Sequence, residues 1–382
     1  MPNYQYLIIG GGMTAAAATK GIREVDSAGS IGIVGLELHR PYQRPPLSKA
    51  LWQGKPEDGV WLELPPGVEL LSGRRAVSVD RQAHQVRDDR GEVHGYRKLL
   101  LATGGTPRTL PFGKGVVYFR TLDDYRKLRA LQGERVVVIG GGFIGSEIAA
   151  ALAQNGKKVT MIFPEDGVCA RAFPAELSKF VTGYYRNKGV EVLAGEGVTG
   201  IDGGAVQTKG GKRVEADAIV AGLGIIPSTE LAAQAGLTVA DGIEVDEALR
   251  TSDPDVFAAG DVARFHNPAL GKRVRVEHED NANTMGAAAG RSMAGAEVKY
   301  QHLPFFYSDL FDLGYEAVGE IDARHETVAD WKTPFREGVV YYLSEGRVRG
   351  VLLWNTWGQV DNARALIAEA RAPAELKGRL PR

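Results

Sequence analysis

The chain has 382 residues, with 46 Lys and Arg against 47 Asp and Glu and a formal net charge of -1 at pH 7. That length predicts two or three domains with sizeable cores, and the balanced charge gives no global attraction to nucleic acid or to an anionic membrane. A single cysteine, Cys169, excludes an intrachain disulfide and any relay through a cysteine pair.

No stretch approaches the about 18 apolar residues of a membrane span, and a reducing, cytoplasmic setting is expected. The opening segment "YQYLIIGGGMTAAAATKGIR" reads as a strand, a G-x-G-x-x-A turn at Gly10, Gly12 and Ala15, and an alanine-rich helix. In such a turn the first glycine makes the bend and the second lets backbone approach a pyrophosphate. The third small residue lets helix and strand pack closely, so that helix N–H groups face the anion. Glu37, in "IGIVGLELHRPY", is the acid placed to meet a ribose; a solvated loop acid is the other reading.

The stretch "RPPLSKALW" follows. Two prolines end an extended segment, Ser48 resembles an N-cap, and Lys49 then falls in the first turn of a short helix. The positive end of a helix dipole disfavours a cation there by about 0.3–1 kcal/mol, so an anion is expected to face Lys49. Further on, "KLLLATGGTPRTLP" is a strand ending in the small residues Ala102, Thr103 and Gly104.

A second cradle follows in "RVVVIGGGFIGSEIAAALAQNGKKVTMI", with Gly140, Gly142 and Gly145 in the motif positions and Gly156 closing the helix. Phe163 holds the slot where the ribose acid is usual, and Glu165 comes just after it. If Glu165 meets a ribose hydroxyl it favours NADH by repelling a 2′-phosphate, an argument that the nearby Arg171 weakens. "AIVAGLGIIPSTEL" then brings Gly222 and Gly224 to a strand end, and "TSDPDVFAAGDVARF" ends in Gly260 and Asp261. Asp261 can accept from sugar-like hydroxyls, cap a helix, or do both. In "RVEHEDNA", adjacent positions diverge around a helix and no second histidine stands at ligand spacing, so a helix start at His278 is expected rather than a metal site.

The last region alternates strands, "GYEAVGEI", "EGVVYYL" and "RVRGVLLW", with a turn at Glu345-Gly346. A helix follows with Val360, Ala363, Leu366 and Ile367 on one face.

With these motifs in this order, the sequence resembles the FAD-dependent pyridine nucleotide oxidoreductases. Within them, "PYQRPPLSKALW", "RVEHEDNA" and "YSDLFDLGYEAVG" are similar to the ferredoxin and rubredoxin reductase branch and its apoptosis-inducing-factor-like members. The resemblance implies an α/β fold of two Rossmann-like nucleotide-binding domains (glutathione reductase-like) plus a C-terminal α+β domain. Residues 1–113 and 243–300 would bind FAD, 114–242 would bind NADH, and 301–382 would cover the flavin, form a dimer surface or receive a partner.

By the same resemblance FAD is held by Gly10, Gly12, Ala15, Glu37, Arg44 and Asp261, and NADH by Gly140, Gly142, Gly145 and Glu165, with NADPH left open. Ala102, Thr103, Gly104, Gly224 and Gly260 are expected to bind cofactor as well. Lys49 would stand at the reactive edge of the flavin, paired with Glu147 of "GSEIA", while His278 and Tyr307 would lie by the isoalloxazine. Two anions are thereby offered to Lys49, Glu147 and the reduced flavin. A unit charge about 4 Å away at an effective dielectric near 20 is worth about 4 kcal/mol, which would raise the flavin potential by tens of millivolts. The chain departs from the family at Tyr307, where a tryptophan is usual, and at Glu279, where a second histidine is usual.

The function implied is hydride transfer from NADH to the flavin and then electron delivery to an acceptor such as ferredoxin, rubredoxin or quinone. The alternative is an apoptosis-inducing-factor-like NADH sensor that forms a charge-transfer complex and changes its dimerisation.

Overall fold

The computed structural model describes residues 2–369 and 374–381, which divide into two compact units. The first comprises the residues up to Gln43, Glu57–Thr106 and Ile226–Pro304. Its seven-stranded sheet runs in the order Val68–Ser72, Ile31–Gly35, Asn3–Ile9, Val93–Leu101, Gln85–Asp88, Ala76–Asp80, with Val256–Ala258 also on Val93–Leu101. The pairs on either side of Asn3–Ile9 are parallel, and its Leu7, Ile8 and Ile9 are buried on both faces, as an unbroken apolar run requires.

Two helices of this unit, Met13–Val25 and Glu279–Met293, pack closely because their facing residues are small. A Cβ at Gly21 would stand 2.1 Å from the Ala287 carbonyl oxygen, and one at Gly290 would stand 2.1 Å from that of Ala18. The alanine-rich sequence after the first cradle is thus a packing requirement as well as a helix former.

The second unit comprises Arg44–Pro56, Pro107–Ile225 and the residues from Phe305. It holds a parallel five-stranded sheet ordered Glu191–Ala194, Lys158–Phe163, Arg135–Ile139, Ala218–Ala221, Val117–Tyr118. The helix Phe143–Gln154 crosses over from the central strand, and Gly156 beyond it takes a left-handed φ of +77°.

In the same unit an antiparallel sheet runs Phe305–Leu310, Leu313–Gly319, Arg347–Trp354, Glu337–Ser344, Glu326–Thr333. Glu345 and Gly346 form the tight turn expected of them, both with positive φ. Helix Val360–Ala368 buries Ala363, Leu366 and Ile367, whereas Val360 is only half-buried at its start. Aromatic rings join this sheet to the rest of the unit: Phe306 lies 4.9 Å from Phe143, and Phe173 lies 5.3 Å from Tyr315 and 5.5 Å from Trp354.

Gly290→Ala raises helix propensity yet forces a methyl onto the Ala18 carbonyl. Its expected outcome is a net loss of about 1–3 kcal/mol in chemical denaturation, and a gain would contradict the helix packing.

Candidate functional site

In the first unit, strand Asn3–Ile9 runs into Gly10, whose φ is +119°. A Cβ there would lie 2.1 Å from the Ala102 carbonyl oxygen, so only glycine permits the bend. Gly12 is the N-cap of helix Met13–Val25, with extended backbone and no side-chain cap, and Ala15 is fully buried behind it. No described atom lies within 4 Å of where a Gly12 Cβ would stand. Uncapped helix N–H groups therefore open onto free space, which fits a phosphate group.

The second unit repeats this geometry. Gly140 has φ +115°, and its Cβ would meet the Gly222 carbonyl oxygen at 2.4 Å. Gly145 passes so close to Gly140 that a Cβ would fall 2.0 Å from its carbonyl oxygen. Gly142 again caps the helix without a side-chain bond and faces open space among the described residues. Gly224, just past strand Ala218–Ala221, has φ +79° and accepts from the Arg108 amide at 2.9 Å.

The acids fall at strand ends. Glu37 follows Ile31–Gly35 and accepts from the Tyr42 hydroxyl at 2.5 Å. Glu165 follows Lys158–Phe163 and pairs with the exposed Arg171 at 2.5 Å. Asp261 does not cap a helix: it lies inside the short turn Gly260–Val262, whose N-cap is Ala259. Gly260, at φ +79°, forces that turn by pressing on Thr14, where a Cβ would meet the hydroxyl at 2.3 Å. Ala102, Thr103 and Gly104 follow strand Val93–Leu101, and the Thr103 hydroxyl donates to the Ser228 carbonyl at 2.7 Å. Arg44, in the second unit, donates to the Arg120 carbonyl at 2.9 Å.

His278 is the N-cap residue of helix Glu279–Met293. Burial pushes its imidazole down to about 4, against the opposing pull of Asp261 and Asp280. It is therefore neutral near pH 7. The remainder of the "EHED" run is divided between partners, Glu277 with Arg275 at 2.7 Å and Asp280 with His302 at 2.6 Å.

Lys49 corrects the local expectation. It lies between two short 3-10 turns, Pro45–Ser48 and Ala50–Gln53, and not in the first turn of an α-helix. Ser48 caps nothing, because its hydroxyl donates to Glu147 Oε2 at 2.5 Å. The dipole argument thus has no helix to act through, and the anion it called for is a side chain. Lys49 Nζ stands 2.7 Å from Glu147 Oε1, with both side chains nearly buried. Ser308 donates to the same oxygen at 2.6 Å, and Lys49 Nζ lies 5.3 Å from the centre of the half-exposed Tyr307 ring. Burial holds the neighbouring Asp309 carboxyl above its ordinary range, Lys49 opposing and Glu147 reinforcing.

Ser308 escaped the sequence reading. Its signal was its place in strand Phe305–Leu310, where Phe306, Ser308 and Leu310 alternate onto one face and a serine interrupts the apolar pair. Cys169 is buried 3.8 Å from Ser146, and desolvation pushes its thiol up to about 12. That is the environment of an inert packing residue.

Among the described residues, no helix is long and apolar enough to cross a membrane. Residues 4–286 match the family described as pyridine nucleotide-disulphide oxidoreductase, and residues 289–334 match that described as apoptosis-inducing factor, mitochondrion-associated, C-terminal. The chain is 36% identical to the ferredoxin–NAD(+) reductase component of the anthranilate 1,2-dioxygenase system of Burkholderia cepacia, over 96% of this chain and 95% of that one. It is 35% identical to mitochondrial apoptosis-inducing factor 1 of Dictyostelium discoideum, over 98% of this chain and 80% of the other. Among solved structures, a covalent putidaredoxin reductase–putidaredoxin complex is similar at a TM-score of 0.90 and 31% identity, covering 96% of this chain and 94% of that one.

Two uncapped glycine cradles suited to FAD and NADH, an α/β fold shared with these reductases and a match over most of its length lead to one conclusion: the chain belongs to the pyridine nucleotide-disulphide oxidoreductase family and is an NAD(P)H-dependent flavoprotein oxidoreductase.

Proposed function

We propose that this oxidoreductase takes electrons from NADH and delivers them to a small iron–sulfur protein of the ferredoxin type. The observation that carries the reading is that Ser48 and Lys49, both bound to Glu147, stand on the segment that carries the redox cysteines in disulfide-reductase relatives, in a chain whose one thiol is buried and inert. Without an internal disulfide, electrons leave for an external acceptor. The similarity to reductases named for ferredoxin and putidaredoxin supports that choice of acceptor over rubredoxin or quinone.

In this reading Gly10, Gly12, Ala15, Glu37, Arg44, Ala102, Thr103, Gly104, Gly260, Asp261 and His278 hold FAD. Gly140, Gly142, Gly145, Glu165 and Gly224 hold NADH. When bound, FAD supplies two-electron uptake from nicotinamide coupled to release of single electrons, which a nicotinamide cannot do.

The chain's own residues supply alignment and charge. Helix N–H groups behind Gly12 and Gly142 bind pyrophosphate oxygens. Glu165 accepts from a ribose hydroxyl and disfavours a 2′-phosphate, while Arg171 offsets part of its charge and leaves NADPH a weaker donor. Lys49 presents a fixed positive charge at the flavin, Glu147 orients it, and Tyr307 flanks it. His278, kept neutral by burial, adds shape and hydrogen bonding but no formal charge near pH 7. A second reading, an NADH sensor that changes its oligomeric state, is favoured by the match of residues 289–334.

The deciding measurement is NADH-driven cytochrome c reduction by the purified holoprotein, with and without an oxidised [2Fe–2S] ferredoxin. A large ferredoxin-dependent rate is expected. A rate indifferent to ferredoxin, together with an NADH-dependent change of mass on sizing, would replace the reductase by the sensor. Lys49→Ala is expected to lower the flavin midpoint potential by on the order of tens of millivolts and to slow reduction by NADH, as spectroelectrochemical titration and stopped flow would record. Gly142→Val places its side chain in open space on extended backbone, so it should cost the fold about 1 kcal/mol or less while raising the KM for NADH at least tenfold. An unchanged KM would remove the second cradle from nucleotide binding.

A further inference from the structure

Glu147 lies on helix Phe143–Gln154 with 4% of its surface exposed. A carboxylate withdrawn from water this far needs donors on both oxygens, or its charge is unsupported. The three donors come from two segments far apart in sequence, one carrying Ser48 and Lys49 and the other Ser308. Oε1 receives Lys49 Nζ at 2.7 Å and Ser308 Oγ at 2.6 Å, and Oε2 receives Ser48 Oγ at 2.5 Å. Ser308 is fully buried and Ser48 nearly so, so water has little room to replace either hydroxyl.

We infer that Ser48 and Ser308 are positioning residues that fix the Glu147 carboxylate from two sides and thereby fix where the Lys49 ammonium stands. The inference rests on the role proposed above for Lys49. An ammonium on a four-carbon stem has little geometric preference of its own; its position follows that of the anion holding it. With a single hydroxyl a carboxylate can still pivot, and with one on each oxygen it cannot.

Each serine also adjoins a residue of the exposed side of the site. Ser48 precedes Lys49, and Ser308 follows Tyr307 on a strand whose successive side chains point to opposite faces. The same backbone segments that present Lys49 and Tyr307 therefore also bind the carboxylate behind them. Tyr315, fully buried, is the cross-strand neighbour of Ser308.

The test is the midpoint potential of the FAD-loaded protein in Ser48→Ala, Ser308→Ala and the double variant, each also made in a Lys49→Ala background. Each single serine variant is expected to move the potential in the direction of Lys49→Ala and by part of its shift, the double variant by more. In the Lys49→Ala background the same changes are expected to leave the potential where it is, because the hydroxyls act through the ammonium. Equal shifts in both backgrounds would show a general structural effect and overturn the inference, as would potentials unchanged in both single variants. Each single variant keeps Lys49 and one hydroxyl on Glu147, so the singles decide the matter if the double variant does not fold. If Lys49→Ala itself leaves the potential unmoved, the role of Lys49 fails first, and that result is distinct from a failure confined to the serines.

Discussion

A carboxylate without water is the constraint around which the second unit is organised. Glu147 is buried on a helix that the glycine cradle starts, and two segments, at 48–49 and 305–310, converge on that helix to supply its donors. Buried ion pairs are weak sources of net stability, because desolvation offsets the Coulomb attraction. This one is better understood as a device for holding a charge in place. Its hydroxyl donors make the carboxylate self-sufficient, so that the ammonium is kept near it while still facing the Tyr307 ring. The aromatic layer of Phe143, Phe173, Tyr315 and Trp354 gives that arrangement a rigid backing within the unit.

The cradles depend on a different constraint, the room for hydrogen and nothing larger. At Gly10, Gly140 and Gly145 a methyl group would overlap a carbonyl oxygen, while at Gly12 and Gly142 it would meet no described atom within 4 Å. The first set serves the fold and, in the proposed reading, the second serves binding, although all five stand in two copies of one short motif. The division explains how one glycine-rich turn can be both a tight structural joint and an anion site. In the proposed reading Lys49 contributes charge beside the flavin, and His278, whose imidazole burial keeps neutral, contributes shape.

Much of this was legible from the chain alone. Strand, glycine turn and small-residue helix are written locally, since the spacing that makes a cradle is also what makes the helix start there. The Glu345-Gly346 turn and the C-terminal strands were readable for the same reason. The expectations that failed were also local. Ser48 has the look of a cap and Asp261 that of a helix start, yet Ser48 turns to a carboxylate 99 residues away and Asp261 is caught in a turn pressed against Thr14. A side chain that can satisfy the adjacent backbone is free to satisfy a distant group instead, and nothing in the neighbouring residues records the choice. Ser308, 161 residues from Glu147, was visible only as a polar interruption in an apolar strand face.

The amino-acid sequence by itself determined the two glycine turns, the α/β plan and the single cysteine, because each depends on backbone room, hydrophobic period or composition. Only the tertiary structure decided that Lys49 lies between two short turns, that Ser48 and Ser308 converge on Glu147 and that His278 is buried enough to stay neutral. Those outcomes are set by which distant donors and apolar surfaces reach a group withdrawn from water, a long-range balance of desolvation against hydrogen bonding that no local pattern encodes.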